Sequence, residues 1–407
     1  MSPLHTLIHF PPPGYDPRVD PTLNPYSPGS GIAPPFLAGR DADLNALANL
    51  IHRVQDSRSG RGIILSGLRG VGKTVLLNRL RGMADEASWL TIQFEARPGK
   101  DGAKISRQTL GQGLQRASLK YRAKAASERI AAMLDSIRSL NVTLGVDGFS
   151  VGIEKDAIQG VTGSLEVDFQ STMEAICLVL RDEGKGFALF VDEMQDLDKE
   201  LMQSLIVAQH YANQRELPFF VIGAGLPSLP ARLSATRSYA ERLFQYRPIG
   251  RLRQEEAEES LERPAEREGA AYTSSALEIL LKESGQYPYF LQEFGSALWE
   301  IAEDSPFTEE AARAAAIAGK ARLDAGFFPS RWDRATPGER DYLIAMAQDG
   351  EGPSRSGIVA DRLGKAPQGL GLVRAKLIEK GLIYAPERGQ VAFTVPGMAD
   401  YITRISD

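Results

Sequence analysis

The sequence predicts an α/β fold: a parallel sheet flanked by helices, extended by a helical unit and a small C-terminal module of helices and a hairpin. Three observations predict it. The apolar run Ile63-Ile64-Leu65 leads into Ser66-Gly67-Leu68-Arg69-Gly70-Val71-Gly72-Lys73-Thr74. A second run, Phe187 to Val191, ends in Asp192-Glu193. A third, Phe219 to Ile222, ends in Gly223-Ala224-Gly225. Short unbroken apolar runs, separated by segments of helical periodicity, are the pattern of parallel strands buried on both faces.

The first run carries chemistry. Residues 67–74 fit Gly-x4-Gly-Lys-Thr without a mismatch, the phosphate-binding loop of P-loop NTPases. Gly67, Gly70 and Gly72 let the backbone curl with its N–H groups inward. Lys73 brings a point charge to the β- and γ-phosphates, and Thr74 offers a hydroxyl to Mg²⁺. Val75 to Leu80 reads as a helix whose positive end faces the phosphates. Gly67, Leu68, Arg69, Gly70, Val71, Gly72, Lys73, Thr74 and Val75 are therefore the candidate residues for binding ATP or ADP. A strand ending in Asp192-Glu193 sets carboxylates beside that loop. Asp192 is the candidate Mg²⁺ partner, through water, and Glu193 the candidate general base that polarises the attacking water. A lone Asp-Glu is commonly an exposed acidic turn; its pairing with the loop favours the metal-site reading.

Composition bounds the rest. A chain of 407 residues is long enough for two or three domains. Its 43% hydrophobic and 24% charged residues are ordinary for a globular protein. A net charge of −5 gives no global basic signature, so any nucleic-acid contact has to be local. Cys177 is the only cysteine, which excludes an intramolecular disulfide and suits a reducing cytoplasm, the expected location. No apolar run approaches the roughly eighteen residues of a membrane helix, so no membrane partner is expected. Met1 to Phe10 lacks the basic start and long apolar core of a secretory signal.

In chain order, residues 1–35 form a Pro- and Gly-rich lead-in. Residues 36–250 form the nucleotide-binding core, opened by a helix that Asp41 caps and that runs through Leu44, Leu47, Leu50 and Ile51. This helix lies over the base or is a plain surface helix. Trp89 to Glu95 alternates as a strand. Residues 97–170 read as an insertion. It holds an aperiodic stretch from Arg97 to Lys120, a helix over Tyr121–Leu140, and a hairpin of Val142–Val146 with Phe149–Ile153. Val161–Phe169 adds an extended piece. Helices over Ser171–Arg181 and Leu201–Gln214 flank the acidic strand.

Residues 251–329 read as a helical lid with helices over Ala257–Leu261, Ser274–Ser284, Pro288–Ala302 and Thr308–Leu323. The turn Gly285-Gln286-Tyr287-Pro288 opens an aromatic helix, as in a lid that closes on base and ribose. Residues 330–407 run helix, helix, helix, hairpin, the order of a winged helix, with Thr336-Pro337-Gly338-Glu339 as a capping box. Arg374, Lys376 and Lys380 lie on or near its third helix, which makes duplex DNA a partner through residues 366–395. The unit's acids and bases nearly balance, so a protein partner stays open.

These parts jointly resemble the origin-recognition and archaeal-type ATPases of the AAA+/STAND group, on Gly39-Arg40, Gly67 to Thr74, Asp192-Glu193, Gly285-x-x-Pro288 and the C-terminal module. The phrases Gly223-Ala-Gly-Leu-Pro227, Tyr239-Ala-Glu-Arg-Leu-Phe244, Tyr287-Pro-Tyr-Phe-Leu-Gln292 and Lys380-Gly-Leu-Ile-Tyr384 are similar to those of a widespread family of bacterial stand-alone ATP-binding proteins. The resemblance runs from about residue 24 to the end and implies a Mg²⁺-dependent ATPase. It implies that Pro288 packs by the base. It also implies that Arg242 reaches the nucleotide of a neighbouring copy in a homo-oligomer, unless Arg242 is an ordinary surface arginine. Two departures stand out. Gly223-Ala224-Gly225 lacks the polar residue that AAA+ chains place there to sense the γ-phosphate. The lid has Gln286-Tyr287-Pro288 where initiator ATPases place an arginine, nearer the STAND pattern of an ADP-held off state. The resulting expectation is an ATPase with slow or partner-stimulated turnover, either DNA-associated through the winged helix or a signalling switch that binds protein.

Overall fold

The computed structural model describes residues 18–29, 31–119, 127–145 and 162–406. The chain divides into two compact units, one joining Met1–Gly39 to Arg251–Leu323, the other joining Arg40–Gly250 to Asp324–Asp407.

The second unit holds the sheet. Its strands are β1 (Gly62–Ser66), β2 (Leu90–Glu95), β3 (Phe187–Asp192), β4 (Phe219–Gly225) and β5 (Phe244–Pro248). All pair in parallel in the order β2-β3-β4-β1-β5. The strand after the acidic pair thus lies between the loop strand and the acidic strand. Every residue of β1, β3 and β4 is buried, which is why these runs are unbroken apolar sequence. Helices α1 (Asp41–Gln55), α2 (Lys73–Glu86), α3 (Gly99–Ser118), α4 (Glu128–Thr143), α5 (Leu165–Asp182), α6 (Lys199–Gln214), α7 (Leu229–Thr236) and α8 (Ala240–Leu243) accompany the sheet. Leu110, Leu114, Met133, Ile137, Phe169, Met173 and Ile176 join the strands in one core, so α3 to α5 are built into it.

Local pattern misleads at four places. Segment 97–120, aperiodic by sequence, contains the 20-residue α3. Its buried face is made largely of small residues: Gly102, Ser106, Gly111 and Ser118 accompany Leu110 and Leu114. A Cβ on Gly113 would come within 2.6 Å of Ile92. Close packing through glycine and serine leaves little hydrophobic signal to read. Residues 165–169 are helical, not extended, since Leu165, Phe169, Thr172, Met173 and Ile176 line one helical face. The first arm of the expected hairpin is consumed by α4, which runs to Thr143. Residues 146–161, which hold the rest of that hairpin, and 120–126, where the preceding helix was expected to begin, lie outside the described residues. Strand β5 escapes the sequence reading because Gln245 and Arg247 interrupt it, as suits an edge strand.

The same unit carries α13 (Pro329–Trp332), α14 (Pro337–Ala347), α15 (Ser356–Arg362), α16 (Gly371–Glu379), α17 (Met398–Ser406) and a three-stranded antiparallel sheet. Strand β8 (Gln390–Phe393) lies between β6 (Ser354–Arg355) and β7 (Ile383–Tyr384). This arrangement is compatible with a winged helix. The capping box at Thr336 and Glu339 forms.

The first unit contains α9 (Gln254–Arg267), α10 (Ser274–Ser284), α11 (Pro288–Ile301) and α12 (Glu309–Arg322), close to the four helices read from sequence. Thr308 caps α12 by accepting from the Ala311 amide. The described part of the lead-in is packed into this unit. Trp299 donates to the Asp20 carbonyl at 2.8 Å, and the buried Tyr26 donates to the Leu261 carbonyl.

Candidate nucleotide site

Parallel pairing puts the carboxyl ends of β1, β3 and β4 on one edge, where open α/β sheets bind ligands. The loop from Gly67 to Gly72 leaves β1 there and turns directly into α2. It is tied on three sides. The Gly67 amide donates to the Gly225 carbonyl at 3.1 Å, and Ile249 donates to Ser66 at 2.7 Å. Arg40 Nη2 reaches the carbonyls of Val71 and Gly250, each at 3.1 Å. A Cβ on Gly67 would sit 2.0 Å from the Ile249 carbonyl oxygen, so only glycine fits. Gly70 and Gly72 have φ of 84° and 87°, the left-handed turn that brings successive amides round. Lys73, Thr74 and Val75 open α2, and helical geometry leaves the amides of that first turn without intrahelical partners.

Lys73 is only 7% exposed, and its Nζ donates to the Leu68 carbonyl at 2.8 Å. Burial pushes its pKa down to about 8, and the charges of Glu193 and Asp192 offset part of that. Below that pH the folded protein carries a buried ammonium, which disfavours folding. The penalty is relieved as pH rises from about 8 to the ordinary 10.5. Nucleotide-free Lys73→Met should therefore melt several degrees above the parent at pH 7. The gap should close as pH approaches 10.5, and a variant that melts at or below the parent at pH 7 would refute the buried-charge account.

The acidic pair meets the loop as the spacing predicts. Thr74 Oγ1 donates to Asp192 Oδ2 at 2.6 Å, and the Glu193 amide donates to Asp192 Oδ1 at 2.8 Å. Glu193 sits in the left-handed region (φ 46°, ψ 40°), a costly conformation for a non-glycine residue. Its Oε1 pairs with Arg69 Nη1 at 3.0 Å and its Oε2 accepts from Gln195 Nε2 at 2.7 Å. Asp196, three residues beyond Glu193, has its pKa raised to about 6, first by burial and then by the charge of Glu193.

The remaining candidates belong to other elements. Arg242 is exposed on α8, between the buried Ala240 and Leu243. Arg237, before α8, pairs with Glu166 at 3.4 Å. Pro288 is the first residue of α11 in the other unit. Of the basic residues near α16, Lys380 pairs with Glu339 at 2.6 Å, Arg374 donates to the Gln390 carbonyl, and Lys376 is exposed.

Two functional positions escape the sequence reading. Arg40 locks the loop, and only its place after Gly39 hints at this. Gln195 bridges Glu193 to β4, its Oε1 accepting from the Leu226 amide at 3.0 Å. It thereby brings a polar side chain to a strand end whose own Gly-Ala-Gly has none. No sequence signal marks it.

A five-stranded parallel sheet of this order, with a glycine-rich loop cradling the start of α2 and an acidic strand end bonded to its threonine, defines a P-loop nucleotide-binding protein. Residues 37–222 match the family described as AAA ATPase domain. Residues 325–402 match a family described as a domain of unknown function, DUF8462. No curated protein matches the chain. Among solved structures, the Walker-type ATPase PABY2304 of Pyrococcus abyssi is similar over 90% of this chain and 96% of its own, at 16% identity and a TM-score of 0.55. The Orc1 protein of Aeropyrum pernix, solved in complex with DNA, aligns over 91% of this chain and 94% of its own, at 14% identity and a TM-score of 0.47. The RuvB Holliday junction branch migration motor of Thermotoga maritima aligns over 87% and 92%, at 16% identity and a TM-score of 0.41. No helix among the described residues is long and apolar enough to cross a membrane.

Proposed function

We propose that the chain hydrolyses ATP with Mg²⁺ and works as a nucleotide switch whose C-terminal module, a winged helix, meets a protein partner. The observation that carries the ATPase reading is the convergence of Lys73, Thr74, Asp192 and Glu193 on one sheet edge. The loop amides from Gly70 through Val75 and the helix end would cradle the phosphates. Lys73 would exchange its bond to Leu68 for phosphate oxygens. The donors at Thr74 and Asp192 are hard oxygens, few in number, which fits Mg²⁺ completed by water and phosphate rather than a closed protein cage. When bound there, Mg²⁺ neutralises phosphate charge. Glu193 would take a proton from water as the water oxygen joins the γ-phosphorus and the bond to the β-phosphate oxygen breaks, leaving ADP and phosphate. Pro288 would pack by the base from the lid, and Arg242 would complete the site of a neighbouring copy.

The protein partner is favoured over DNA by the exposed face of α16. Leu372 (67% exposed), Ala375, Lys376 and Glu379 share it, one positive and one negative charge beside an apolar side chain. Phosphate backbones select for unpaired positive charge, and two of the three basic candidates are engaged inside the unit.

The test is ATP turnover by the purified chain with Mg²⁺, measured across protein concentration and with and without duplex DNA. Magnesium-dependent turnover indifferent to DNA is expected, rising per chain with concentration if Arg242 acts between copies. Stimulation by DNA that weakens with salt would replace the protein partner with DNA, and absence of ATP binding would remove the ATPase reading.

A further inference from the structure

Arg69 occupies a loop position where the phosphate cradle needs only a backbone amide, yet its side chain lies at the centre of a connected set of contacts. On one side is Glu193, whose two carboxylate oxygens are both taken, one by Arg69 and one by Gln195. A general base has to present an oxygen to the proton it removes. On the other side is the C-terminal module. The Arg69 amide donates to the Thr394 carbonyl at 2.8 Å, just past β8. A Cβ on Gly381 would lie 3.0 Å from Arg69 Nη2, so the module's backbone closes on the guanidinium without a side chain between them. Gly381 and Thr394 move together, because Thr394 Oγ1 donates to the Gly381 carbonyl at 2.7 Å. Arg334 completes the surround. It donates to the Lys380 carbonyl, and burial and then the positive charge of Arg69 lower its pKa. The assembly is thus held by hydrogen bonds and opposed by two like charges, a balance that can tip.

We propose that Arg69 is a positioning residue that withholds Glu193 from water, and that it does so only while the segment 381–394 of the C-terminal module is seated on the loop. This deepens the role given to Glu193 and rests on it. A partner that lifts the module would release the base, and the module's occupancy would set the turnover.

The test uses the full chain with Arg69→Gln, which keeps the backbone amide and loses the ion pair, and Arg69→Lys, which keeps the charge. Amide hydrogen exchange is read first, without nucleotide. Peptides covering 193–197 should exchange at least about fivefold faster in Arg69→Gln and near the parent rate in Arg69→Lys, while 381–395, still bonded to the backbone amide at position 69, exchanges no faster than in the parent. With Mg²⁺ and ATP, Arg69→Gln should raise kcat at least about threefold while KM stays within about twofold, and Arg69→Lys should restore the parent kcat. Unchanged exchange of 193–197 in Arg69→Gln, or a kcat that falls, would overturn the proposal. If no protein turns over ATP, the ATPase reading fails, and the nucleotide-free exchange still decides whether Arg69 holds Glu193.

Discussion

Replacing Lys73 with alanine should weaken ATP binding by at least about a hundredfold, which corresponds to roughly 2.7 kcal/mol. The loop amides offer partial charges, whereas Lys73 offers a full positive charge buried at the sheet edge beside the phosphate cradle. Losing one partner of a buried charge pair costs about 2–5 kcal/mol because the other charge is left in low dielectric. The fold should survive, since alanine removes a buried ammonium that opposes folding at neutral pH. Equilibrium titration with a fluorescent ATP analogue measures the effect, with a melting curve as the control. Affinity within threefold of the parent, in a folded variant, would sink the assignment of this site.

Glu193→Gln should separate chemistry from binding. Turnover should fall by about 10²–10⁴, the usual worth of a positioned general base, while ATP affinity changes little. Glutamine has the same length and can hold the same bond to Gln195, but it cannot accept a proton from water at neutral pH. Single-turnover hydrolysis and a parallel binding titration give the two numbers. A loss in turnover smaller than tenfold would mean that another group takes the proton, and Asp196, whose pKa is raised to about 6, is a carboxylate to examine. The left-handed backbone at Glu193 should be equally tolerated in both residues, so an unfolded variant is not expected.

What the chain spells out locally is the chemistry of the loop and the buried strands around it. Gly67 to Thr74 reads directly because phosphate binding imposes spacing on consecutive residues, and consecutive residues are what a sequence displays. Unbroken apolar runs read as β1, β3 and β4 because strands buried on both faces tolerate little else. Asp192 and Glu193 follow from their place at a strand end. Helix α3 does not read, because its packing face is glycine and serine, whose contribution is closeness rather than hydrophobicity. Strand β5 does not read, because an edge strand need not be apolar throughout.

Apart from the meeting of Asp192 with the loop, the links between distant segments were decided only by tertiary structure. Arg40 lies thirty-one positions from Val71, and Gln195 thirty-one from Leu226, yet each pair is joined by a hydrogen bond at the site. The seating of Thr394 on Arg69 spans most of the chain, and no local pattern encodes it. The same holds for Lys380. By sequence it is a candidate for contacting DNA, and in the fold it is paired with Glu339. A charge advertises its sign in the sequence, but its availability depends on what folding brings beside it.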